Sequence, residues 1–62
     1  MHMKRGDLLT LTVERPAAGG RMIARHEGAI VFVAGAIPGE VVDAEVEKVQ
    51  RGTGWADRKS VV

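Results

Sequence analysis

Two histidines, a lone serine, eight carboxylates, nine Lys or Arg and two aromatic rings are the groups through which this chain could do chemistry. His2 and His26 are too few and too far apart for a metal-ligand spacing. Ser60 lies in no nucleophile-elbow or triad pattern. The pair Gly19-Gly20 has neither a Gly-Lys-Ser/Thr nor a GxGxxG frame around it, so it does not read as a phosphate cradle. Asp43, Glu45 and Glu47 fall on one strand face and read as a solvated acidic exterior that keeps an edge from aggregating. The absence of Cys excludes disulfides, thiol catalysis and thiolate zinc sites together. Catalysis within this chain is not expected.

The cations and rings offer more. Arg21 and Arg25 share a face with Ile23, and His26 stands at its end. Further along, Lys48, Arg51, Trp55, Arg58 and Lys59 gather about a second region. If the two regions meet, they form a basic strip with an aromatic platform. Arg and Lys would neutralise phosphates, and an exposed indole would stack on a base. The other reading is that these are ordinary solvated charges, with Trp55 packed on the end of a barrel. The residue pattern favours neither. Phe32, flanked by Val31 and Val33, is expected in the core. A formal net charge of +1 does not announce a nucleic-acid binder, so the case depends on where the charges sit.

Those side chains must be positioned by a small unit. A chain of 62 residues makes one domain, or a piece of a larger protein. With 45% hydrophobic residues it should pack a core, and with only two aromatics that core must be aliphatic. No apolar run is long enough to span a bilayer or to serve as a secretion signal. Leu9, Leu11 and Val13 alternate with Thr10, Thr12 and Glu14 at the two-residue period of a half-buried strand. Pro16 and Gly19-Gly20 then break the run. Residues 21–26 and 29–33 read as two further strands joined by a tight turn at Glu27-Gly28. The second of them is so apolar that burial on both faces is expected. Residues 34–39 read as a loop, with Pro38-Gly39 suited to the centre of a type II turn. Residues 42–49 form a fourth strand, residues 51–54 a turn, and residues 55–62 a last strand.

Glycine and proline punctuate too often for three clean turns of helix. The fold class expected is therefore all-β, a small five-stranded OB-like barrel. Its core is expected to hold Leu9, Leu11, Val13, Ala24, Val31, Val33, Val42, Ala44 and Val46. Residues 1–5 are expected to be a disordered tail or cloning remnant, and residues 6–62 the barrel domain. The apolar end at Val61-Val62 suggests a boundary inside a longer chain.

The ordered set Gly19-Gly20-Arg21-Met22-Ile23-Ala24-Arg25, Gly28, Val31-Phe32-Val33 and Gly35-Ala36-Ile37-Pro38-Gly39-Glu40 resembles the TRAM domain. That domain is a small OB-like barrel found at one end of RNA-modifying enzymes. The most specific part of the match is Val31-Phe32-Val33 leading into Ala36-Ile37-Pro38-Gly39-Glu40. The chain is most like the amino-terminal TRAM domains of RNA uracil-5-methyltransferases; related methylthiotransferases carry the module at the carboxyl terminus. One departure is Met22, where the family often has glycine.

The resemblance implies a non-catalytic, cytoplasmic domain whose partners are rRNA or tRNA and the catalytic domain of its own parent. No cofactor is expected in this chain, and S-adenosylmethionine is expected for the parent enzyme. The candidate RNA-binding residues are Arg21, Arg25, His26, Lys48, Arg51, Trp55, Arg58 and Lys59. An alternative of another class is a structural barrel that docks on its catalytic domain with little or no RNA contact.

Overall fold

The computed structural model describes residues 3–62. Branched and polar residues in alternation extend the chain over Leu8–Pro16 as β1, with Leu9, Leu11 and Val13 buried. A short 3-10 turn, Ala18–Gly20, leads into β2 (Met22–His26) and β3 (Ala29–Ala34). β4 (Val41–Gln50) and β5 (Thr53–Val61) complete the chain. The strands close into a barrel in the order β1-β2-β3-β5-β4. All neighbours are antiparallel except β3 and β5, which run parallel. Closure pairs the strand edges that an open sheet this small would leave bare.

Both tight hairpins need backbone in the left-handed region. Glu27-Gly28 has φ of 50° and 85°, and Arg51-Gly52 has 54° and 78°. Positive φ at both central residues is the mark of type I′, whose twist matches that of the flanking strands. The β3–β4 loop turns at Pro38-Gly39, where the Glu40 amide donates to the Ile37 carbonyl at 3.2 Å. The loop is laced to β1: Val13 donates to the Glu40 carbonyl and Gly39 to the Val13 carbonyl, each at 2.8 Å.

All nine expected core residues are buried, and Ala36 and Ala56 join them. Met22 is half-buried against this core. Phe32 is not a core residue. Nor is β3 buried on both faces: Val31 and Val33 point inward, while Ile30, Phe32 and Ala34 are half-buried on the outside. Strand alternation applies to this apolar run as to any other, because one side of a barrel wall faces out. The last turn is shorter than expected, since Thr53 and Gly54 already belong to β5.

The expected tail also differs. Met1 and His2 lie outside the described residues, but Met3 packs against the core. The Asp7 amide donates to the Lys4 carbonyl at 3.1 Å, and the Lys4 amide donates to Asp7 Oδ2 at 3.0 Å. The Gly6 amide then donates to the Val46 carbonyl at 2.8 Å. Residues 4–7 thus form a turn seated on the barrel, and Met3 ahead of it lies against Gly54. A Cβ added at Gly54 would stand 2.9 Å from the Met3 sulfur.

Candidate nucleic-acid interface

Across the outside of the barrel, Arg15, Ile23, Phe32, Trp55 and Lys48 are successive register partners on β1, β2, β3, β5 and β4. Side chains directly opposite one another in a ladder share a face. Their strand neighbours Ala24, Val31, Val33, Val46 and Ala56 point into the core, so this row points out. Its middle is apolar and half-buried, and its two ends are exposed cations. The Phe32 and Trp55 rings have centroids 5.6 Å apart and are tilted by 37°. Lys48 Nζ sits 4.4 Å from the Trp55 ring centroid, a cation–π contact.

Two bulges build the ends of the row. Arg15 has the same parity as Leu9, Leu11 and Val13, so simple alternation would aim it inward. A register shift between Val13 and Arg15 turns it out to face Ile23. Lys48 likewise has the parity of Val42, Ala44 and Val46, and a shift between Val46 and Lys48 turns it out beside Trp55. An extra residue in one strand re-aims the side chains beyond it.

The remaining candidates fall into three settings. Arg21 and Arg25 lie on the same outer face but are engaged. Arg21 Nη1 donates to the Ala56 carbonyl at 3.2 Å and Nη2 stands 3.8 Å from Glu47. Arg25 Nε lies 3.6 Å from Glu14. His26 and Arg51 border the two hairpin turns at one end of the barrel. His26 Nε2 is 3.5 Å from Glu27, and Arg51 is exposed with no carboxylate in ion-pair range among the described residues. Arg58 and Lys59 lie away from the row, toward the other end of β3. Arg58 Nε donates to the Gly35 carbonyl, and Lys59 Nζ is 3.6 Å from both Glu45 and Asp57.

The acidic face is not merely solvated. Asp43 accepts from Thr10 Oγ1 at 2.8 Å and from Ser60 Oγ at 3.4 Å. Glu45 pairs with Lys59 and Glu47 with Arg21. An open polar hollow beside the row is lined by Arg5, Glu45, Glu47, Asp57 and Lys59. Its three carboxylates against two cations make it a poor bed for phosphates. Sequence reading missed Arg15 and took Phe32 for core. The register partner Ile23 was visible beside Arg21 and Arg25, but which residues stood opposite it was not.

An apolar, ring-bearing row with free cations at its ends can stack bases at its centre and hold phosphates at its margins. The strand order places the protein in the OB-like class of small closed barrels, whose β2–β3 face and β1–β2 and β4–β5 loops are the usual ligand surface. The chain belongs to the TRAM domain family, whose profile matches residues 3–58. TRAM domains are non-catalytic RNA-binding modules.

The chain is 41% identical over 56 residues to an uncharacterized RNA methyltransferase of Corynebacterium glutamicum, covering 90% of this chain and 13% of that protein. It is 44% identical over 46 residues to another from Bdellovibrio bacteriovorus, covering 74% of this chain and 12% of that protein. The chain thus spans about one eighth of the length of the curated relatives it matches. The solution structure of a conserved protein from Methanococcus maripaludis superposes with a TM-score of 0.80 at 34% identity, covering 89% of this chain and 79% of that one.

Proposed function

We propose that this domain is the RNA-holding accessory unit of a cytoplasmic RNA methyltransferase, and that it grips rRNA or tRNA for a separate catalytic domain. The observation that carries the reading is the transverse row: a Phe32–Trp55 ring pair flanked by Arg15 and Lys48. Membership of the TRAM family and the names of its relatives support it. Phosphates would be held by Arg15, Lys48 and Arg51, with Arg21 and Arg25 lining the same face and His26 at the hairpin end of the barrel. Arg58 and Lys59 contribute less, because both are occupied at the far end. Such a surface holds RNA with little sequence readout.

The parent's chemistry would be S-adenosylmethionine-dependent methylation at C5 of uracil, performed outside this domain. The described residues do not fit that cofactor. Their polar hollow is lined by five charged side chains, and its one hydrophobic lining residue, Val46, is 1% exposed, leaving no wall for an adenine ring. The described residues also hold no helix long and apolar enough to cross a membrane.

Docking on the parent's catalytic domain is a second reading. It is favoured by exposed Ile37, Val41, Val61 and Val62, which lie away from the row. The two readings use different surfaces. Titrating a labelled single-stranded RNA into the domain at low and moderate salt tests the first. Salt-sensitive binding that Trp55→Leu weakens supports it, and no binding at low ionic strength leaves docking as the role of the barrel.

A further inference from the structure

We propose that the indole face under Lys48 is a nucleobase seat, and that an entering base displaces the Lys48 ammonium from the ring onto the RNA backbone. The proposal rests on the RNA-binding reading above and adds how the seat opens. Lys48 faces Trp55 across the β4–β5 ladder with Nζ 4.4 Å from the ring centroid. The bulge at Glu47 aims it there. No carboxylate of the described residues pairs with it, whereas Arg21, Arg25 and Lys59 all have one. The ring is what holds Lys48 in place.

Phe32 neighbours the indole from β3, with centroids 5.6 Å apart and the rings tilted by 37°, and Lys48 lies over the ring from β4. A base that stacks on this side of the indole takes the place over the ring that Lys48 occupies. The exchange is favourable. An exposed cation–π contact is worth roughly 2- to 5-fold in an equilibrium constant. A base stacked on an aromatic side chain is worth roughly 5- to 150-fold. The freed ammonium stays within reach of the backbone next to the seated base, on a flexible four-carbon stem with three rotatable donors. Stacking and one phosphate contact are thereby coupled in a single exchange.

The ε-methylene protons of Lys48 report the exchange directly, because the indole ring current shifts them upfield while they lie over it. Trp55 is the only tryptophan and the chain has no tyrosine, so intrinsic fluorescence reports the seat alone. Titration with a single-stranded uridine oligonucleotide should quench Trp55 while the Lys48 signals return to their ordinary position. Quenching with the upfield shift retained at saturation would overturn the exchange and leave RNA binding intact. No change in either signal at low salt would instead remove the RNA-binding reading, and the exchange with it. A double-mutant cycle gives a second readout. Lys48→Met should lose roughly 2- to 5-fold more affinity in a Trp55→Leu background than in the parent, since there the lysine has no ring to leave. Equal losses in the two backgrounds would count against the exchange.

Discussion

Asp43 and Glu45 sit two residues apart on the same strand face, yet their surroundings give them different work. Asp43 ties β4 to both neighbours through Thr10 and Ser60. Glu45 makes an ion pair with Lys59, in which both side chains are about half exposed. Hydrogen bonds to a carboxylate exceed exposed ion pairs in net worth. Asp43→Lys should therefore lower stability by roughly 1 kcal/mol, and Glu45→Lys by about 0.5 kcal/mol or less. Urea unfolding of the two variants decides between them. Neither should weaken RNA binding, because both remove a charge that repels phosphate. Loss of affinity in either would make the acidic face a contact surface. Arg58 is the converse case, a cation in the sequence pattern that acts as a clamp on the Gly35 carbonyl. Arg58→Ala should loosen the β3–β4 loop, seen as faster amide exchange at residues 35–40, and leave the salt dependence of RNA binding unchanged.

At the scale of elements, the two type I′ turns trade stability for side-chain identity. Glu27 and Arg51 both occupy left-handed backbone, where asparagine is the better residue. A non-glycine residue there costs roughly 1 kcal/mol or more, of which asparagine recovers a part. Glu27→Asn and Arg51→Asn should each raise stability by about 0.5–1 kcal/mol in thermal or urea unfolding. Only Arg51→Asn should also flatten the salt dependence of RNA binding, by about 0.7 in the log–log slope. Equal effects of both on the slope would mean that Arg51 touches no phosphate.

Alternation and turn chemistry made the strands, the Glu27-Gly28 hairpin and all nine expected core positions legible in the sequence, while the last turn proved two residues shorter than residues 51–54. Bulges are what hid Arg15 and the place of Lys48 over Trp55. An extra residue leaves no compositional mark, so Arg15 and Lys48 carry inward parity in the sequence and outward aim in the barrel. Phe32 was hidden for the opposite reason. Its apolar neighbours Val31 and Val33 suggested burial, but the parity rule that buries them exposes the residue between them. Whether Trp55 met Phe32 depended on the parallel β3–β5 register, which joins segments twenty-three positions apart.

For the whole molecule, the question is how a nearly neutral barrel holds a polyanion. Nine cations and eight carboxylates cancel in bulk, so binding depends on which cations remain uncommitted. Arg21, Arg25 and Lys59 are paired with carboxylates, and Arg58 is engaged by a carbonyl. Along the ring row and its adjoining turn, Arg15, Lys48 and Arg51 are left. About three contacts to single-stranded RNA give a slope of log affinity against log salt near −2, at roughly −0.7 per contact. Raising salt from about 50 to 200 mM should then cost roughly 20-fold in affinity. Arg15→Ala should flatten the slope by about 0.7, whereas Arg25→Ala and Lys59→Ala should each change it by less than half as much. A lysine or arginine already beside a carboxylate neutralises less phosphate charge and so releases fewer of the counterions condensed on RNA, and its loss frees the carboxylate to repel. A slope steeper than about −3, or equal flattening by Arg15→Ala and Lys59→Ala, would show the paired cations letting go of their carboxylates for RNA. The basic strip would then wrap the barrel instead of crossing one face.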